Sequence, residues 1–236
     1  MSALPVDHRP VATLDDVARG EFLTRVYQHL LVAVGAFVAF EALLINLGLA
    51  EALWDLIAGN GAAWLLVLGG FMVVNWLATT AAHDVLQPSR QYAGLFGLAA
   101  AEAVIFAPFL HYFFEVREDG TSSVVAAAII TAIGFAGLTA VALVTRRDLS
   151  FLRPILLWAA VSALVLIVAA VLFGLDLGIW FSVGMIALAG GSILYETQTI
   201  LRRYPAAAYV GAAVQLFASV MLLFWYVLRL VGQLRD

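Results

Sequence analysis

The chain has 236 residues, 64% of them hydrophobic and only 12% charged, with a net charge of -4. That balance excludes a soluble domain of this length, so the solvent it is built for is the lipid bilayer. The charge is small and scattered, and without a basic cluster no nucleic acid partner is expected. All 12 basic residues are arginines, so a retinal Schiff base is excluded, and the absence of cysteine excludes disulfides, thiolate metal sites and cysteine nucleophiles.

Met1 to Thr24 reads as a polar tail without an apolar core followed by a small-residue cleavage site, so the first span is expected to serve as the insertion signal. Within it, Thr13 followed by Asp15 and Asp16 resembles the start of a short interfacial helix. From Arg25 onward seven apolar stretches follow, at about 26-49, 62-82, 91-114, 123-144, 154-174, 178-201 and 207-231, each long enough to cross hydrocarbon as a helix. The expected organisation is a cytoplasmic tail over 1-24 and one all-α, seven-span membrane domain over 25-236.

Along these spans the informative residues come in order. Glu41 lies in the outer half of the first span, with Asn46 beyond it. Trp54, Trp64, Trp180 and Trp225 fit an outer aromatic belt and Trp158 an inner one, while Trp76 lies deeper and is expected to pack inside. Glu102 falls near the middle of span three between alanines that offer no donor, and Pro108, by removing a backbone donor and freeing the Val104 carbonyl, predicts a kink. Gly134 and Gly137 in span four, and Gly184, Ala187, Gly190 and Gly191 in span six, predict close helix contacts, with span six central or tightly flanked.

Nine arginines (Arg9, Arg19, Arg25, Arg90, Arg146, Arg147, Arg153, Arg202 and Arg203) fall on the N-terminal side of the spans and three (Arg117, Arg229 and Arg235) on the other. That asymmetry predicts a cytoplasmic N-terminus and an outside C-terminus.

An ionisable group deep in a span costs about 2.5 to 3.5 kcal/mol on insertion scales, so Glu41, Glu102 and Glu196 each need a reason. The last two spans form an antiparallel hairpin, and residues equally far from its turn share a depth. Glu196 and Ser219 are such a pair, each roughly 12 Å from the interface at about 1.5 Å per residue, so the carboxyl is expected to face the hydroxyl, with Arg202 or Arg203 near. Glu196, Ser219, Glu102 and Glu41 are therefore the candidate proton- or cation-sensing residues. A calcium site needs about six to eight oxygen ligands, and glutamates at three depths make at most a chain of weak stations, so no metal site is assigned. No cofactor is expected. Gly190-Gly191-Ser192 only loosely resembles a nucleophile setting; His29 and His83 lie at the inner span ends and His111 near the outer one, and no HExxH motif occurs, so the chain is not read as an enzyme.

Thr145-Arg146-Arg147-Asp148-Leu149-Ser150-Phe151-Leu152, Ile193-Leu194-Tyr195-Glu196-Thr197 and the segment from Tyr209 to Leu230, with Leu216-Phe217-Ala218-Ser219, resemble the Bax inhibitor-1 (TMBIM) family, and Ala107-Pro108 is similar to its Gly-Pro in span three. The resemblance implies a final helix packed inside the others. It also implies a pair of aspartates, tied to proton-sensitive calcium leak, where this chain has Glu196 and Ser219. The Glu and Ser combination is similar to a bacterial YccA-type branch, which implies an inner-membrane modulator of the AAA protease FtsH and its HflK/HflC partners, engaged through the N-terminal tail. The alternative it implies is a pH-sensitive calcium leak.

Overall fold

The computed structural model describes residues 9–145 and 147–235, so the expectations placed on residues 1–8 of the tail and on Arg146 lie outside the described residues. The described chain is all helix: α1 (Asp16–Asn46), α2 (Leu49–Ile57), α3 (Gly61–Ala82), α4 (Pro88–His111), α5 (Gly120–Val144), α6 (Leu152–Phe173), α7 (Gly178–Arg203) and α8 (Tyr209–Arg235). A 3-10 turn at Val11–Thr13 precedes α1, and α4 runs on into a π-helical turn at Tyr112–Val116. Seven of these helices are long and apolar enough to cross a membrane. Hydrocarbon offers backbone groups no water, so a chain this apolar satisfies them within its own helices. The chain is a multi-span membrane protein. Below, the end where α1 begins is the N-terminal face.

Short polar caps start the helices. Asp15 accepts the Ala18 N–H at 2.8 Å to open α1, Asn60 accepts that of Ala63 at 3.1 Å to open α3, and Pro88 occupies the first turn of α4, where no donor is needed. The helix-start signal at Asp15 thus opens the first span itself rather than a separate interfacial helix, and α1 begins well before Arg25. The amphipathic element lies elsewhere. Gly48, at φ 70°, turns the chain into α2, which buries Ala50 and Ile57 and leaves Glu51 and Asp55 exposed. This spacing suits a helix lying at the membrane surface.

The last helix is central, as the resemblance implies: α8 buries residues all round its circumference, against α1, α3, α4, α5 and α7. Its inner companion is α4, with Phe106 stacked on Phe224 at 5.5 Å. By contrast α6 buries only Ala163. Trp76, expected inside, is 66% exposed and faces outward with Trp158 and Trp180. Trp64 and Trp225, expected in a belt, stack on each other at 6.3 Å, and Phe109 meets both edge-on.

Of the glycines expected at close helix contacts, Gly190 and Gly191 are close, a Cβ standing 3.3 Å from Leu138 of α5 and 3.0 Å from Leu156 of α6, and Gly134 and Gly137 of α5 are not. Tight crossings also involve Gly94 of α4, where a Cβ would stand 2.4 Å from the Ala78 carbonyl oxygen, and Gly211 of α8, where it would stand 3.0 Å from the His83 ring.

The tail is also less free than its composition suggests. The Val11 N–H donates to the Tyr204 carbonyl at 2.9 Å and the Ala206 N–H to the Arg9 carbonyl at 3.0 Å, and Val11 is fully buried. Residues 9–14 therefore strap the turn between α7 and α8, because the two open backbone edges and one apolar side chain satisfy each other there.

Candidate functional site

The α7–α8 hairpin brings the expected pair together: Ser219 donates its hydroxyl to Glu196 Oε2 at 2.7 Å. Neither arginine at the end of α7 joins them. The Arg202 guanidinium instead reaches the Arg147 carbonyl at 3.1 Å and Asp148 at 3.9 Å.

The site continues toward the N-terminal face through residues that the sequence patterns leave unmarked. Gln215 lies one helical turn before Ser219 on the same face of α8. Tyr204, in the strapped turn, donates its hydroxyl to Gln215 Oε1. His83, which caps α3, places Nε2 2.9 Å from the Tyr204 oxygen and Nδ1 2.7 Å from the Thr79 carbonyl. Gly211 lets the imidazole lie against α8. Burial, then the nearby Glu196 and Tyr195, holds the Tyr204 phenol above its ordinary range, so it keeps its proton. The result is the Ser219–Glu196 pair and, one turn nearer the N-terminal face, a polar chain from Gln215 through Tyr204 to His83.

Beside it, Gln198 anchors the α5–α6 loop. Its amide nitrogen donates to the Thr145 and Arg147 carbonyls at 3.1 and 2.8 Å, and its oxygen accepts the Leu149 N–H at 3.0 Å. The Ser150 N–H holds the Asp148 carboxyl below its ordinary range; partial burial opposes this, while Arg202 and Arg203 assist. A depressed value means that Asp148 contributes order above the unfolded value of 3.8, lost as pH falls through the folded one. Replacing Gln198 by Leu removes three bonds worth about 1 kcal/mol each. Amide exchange at Leu149 is expected to speed up by at least an order of magnitude while α5 and α6 keep their protection; unchanged exchange at Leu149 would refute the clamp.

The other two glutamates stand apart. Glu41 is buried with neither carboxyl oxygen hydrogen-bonded, and Glu102 is buried without a hydrogen bond from any described residue. No three His, Cys, Asp or Glu side chains gather as a ligand group among the described residues.

A bundle of seven spanning helices around a central last helix, with a carboxyl and a hydroxyl paired in its final hairpin, defines a polytopic membrane protein with an interior polar site. Comparison with known families makes this specific: the family described as inhibitor of apoptosis-promoting Bax1 matches residues 19–236, and the chain belongs to this Bax inhibitor-1 family. An uncharacterised protein of Pseudomonas aeruginosa is 29% identical over 140 residues, a match covering 58% of this chain and 61% of that relative's length.

Proposed function

We propose that the chain is a non-enzymatic regulatory protein of the bacterial inner membrane, modulating a membrane-anchored AAA protease of the FtsH type together with HflK/HflC. The observation that carries this reading over a conduit is Ser219: its hydroxyl completes the hydrogen bonding of Glu196 where a second carboxylate would make a proton-gated pair. The YccA-type Glu and Ser combination, the N-terminal segment 1-24 and the membrane domain over 25-236 fit the same reading. With the N-terminal face cytoplasmic, the protease would grip the chain's beginning and have to peel residues 9–14 from the α7–α8 turn. Extraction is thereby coupled to the Tyr204 end of the polar site.

Two measurements test this. The chain lacks cysteine, so single cysteines at Ala3 and Leu234 report orientation to an impermeant maleimide in spheroplasts: labelling at Leu234 and protection at Ala3 is expected, and the reverse pattern refutes the orientation. Full-length protein and a form lacking residues 2–15 are then compared with the protease complex. Co-purification of the full chain, with turnover slowed by the deletion, is expected; no co-purification of either form removes the partner.

The second reading, a calcium or other cation leak, is favoured by the unpartnered carboxyl oxygens of Glu41, which a passing cation would neutralise.

A further inference from the structure

The N-terminal face carries a second polar feature, outside the final hairpin. Between the α5–α6 loop and the last turns of α7 lies a cleft lined by Asp148, Ser150, Tyr195, Thr199, Arg202 and Arg203. Tyr195, Thr199 and Arg202 recur at i, i+4 and i+7, so one face of α7 forms a wall of the cleft. The loop forms the other wall, and the Gln198 clamp holds its backbone against α7, so the cleft is a built part of the fold. Because α5 ends at Val144, α6 begins at Leu152 and α7 ends at Arg203, the cleft sits where the spans end, at the depth of lipid headgroups.

Its chemistry suits an anion. Residues 147–153 and 202–203 together hold four arginines and one carboxylate. That carboxylate, Asp148, accepts the Ser150 N–H at 2.9 Å and pairs with Arg202 at 3.9 Å. The Arg203 guanidinium makes no hydrogen bond or ion pair with any described residue, and the partly buried Tyr195 and Thr199 hydroxyls make no hydrogen bond with any either. One guanidinium and two hydroxyls opening into one cleft match the acceptor oxygens of a phosphate.

The surface beside the cleft is apolar. Phe151, Ile155 and Trp158, also at i, i+4 and i+7, are all exposed along α6, which buries only Ala163. In a bilayer that stripe meets acyl chains. A soluble phosphate would engage only the polar half of this arrangement, whereas a phospholipid engages both halves. A zwitterionic headgroup would bring another cation among the arginines, so the match is to a headgroup with no amine.

We propose that the cleft binds the headgroup of an anionic phospholipid, its phosphate on Arg203, Tyr195 and Thr199 and its acyl chains along α6. Arg202, held by the Arg147 carbonyl at 3.1 Å, adds positive charge at the rim. This inference rests on the chain being a membrane protein and holds whether it acts on a protease or passes cations.

The test is native mass spectrometry of the full chain, delipidated in detergent and titrated with phosphatidylglycerol or phosphatidylcholine. One phosphatidylglycerol is expected to bind at least about tenfold more tightly than phosphatidylcholine. Arg203→Gln is expected to weaken that binding about tenfold, and Thr199→Val, which removes no charge, about fivefold. Arg153→Gln removes the same charge from the same face but outside the cleft lining, and is expected to change binding by less than about twofold. Glycerophosphoglycerol, the same headgroup without acyl chains, is expected to leave the bound lipid in place at equal concentration. Equal affinity for the two lipids, unchanged binding in a folded Arg203→Gln or Thr199→Val protein, or equal losses in Arg203→Gln and Arg153→Gln would overturn the proposal. Displacement of the lipid by glycerophosphoglycerol would overturn it too, assigning the cleft to a soluble phosphate.

Discussion

Ser219→Asp is expected to turn a site with little pH response into a strongly responsive one. The native hydroxyl lies 2.7 Å from Glu196 Oε2, so an aspartate there sets two carboxyls within contact distance. Two such groups cannot both ionise, and one proton is held between them until the pH rises well above the ordinary carboxyl range. Above that point like-charge repulsion inside the hairpin drives α7 and α8 apart. Moving a carboxyl midpoint by one pH unit corresponds to about 1.36 kcal/mol, roughly tenfold in population. In liposomes the variant is expected to show calcium flux differing about tenfold between acidic and alkaline buffer, against little change for the native chain. Equal profiles for the two proteins would show that Ser219 does not set the response.

A large stability effect is expected at Gly94. A Cβ there would stand 2.4 Å from the Ala78 carbonyl oxygen and 2.7 Å from the Ala82 nitrogen, both backbone atoms of α3 that no rotamer change can move. Gly94→Val forces the α3–α4 crossing open, at about 3 kcal/mol or more. For a chain of this size that lowers the melting temperature by roughly 6 to 12 °C. Gly137→Val, on α5 with nothing within 4 Å of the added Cβ, is the control and should melt within about 2 °C of the native chain. Equal melting of the two variants would refute the close crossing.

These residues mark what is legible in the sequence. Seven spans are visible because hydrocarbon thickness fixes helix length, and Glu196 meets Ser219 because a hairpin turn fixes the register of its two helices. Neither rule reaches His83, which comes from α3 and meets Tyr204 across 121 positions of sequence. Gln215 is within reach of the spacing argument, one turn before Ser219 on the same face of α8. Trp76 departs from its expected place for a different reason. When every face of a helix is apolar, periodicity carries no information on which side meets lipid, so depth alone suggests packing. The same blindness points the close contacts to Gly134 and Gly137 rather than to Gly94. Composition makes residues 9–14 look free, since one buried valine and two backbone hydrogen bonds leave no sequence pattern, whereas Ala50, Trp54 and Ile57 carry a helical spacing that could have revealed α2.

On the regulatory reading proposed above, a single carboxyl bonded to a hydroxyl forms no proton-gated pair. Calcium flux through the purified native chain in liposomes, read with an entrapped dye across a range of pH and repeated with Glu196→Gln, tests that directly. A small flux that changes little with pH and is the same in both proteins is the expected result. A large flux, steep in pH and abolished by Glu196→Gln, would contradict it and establish the leak.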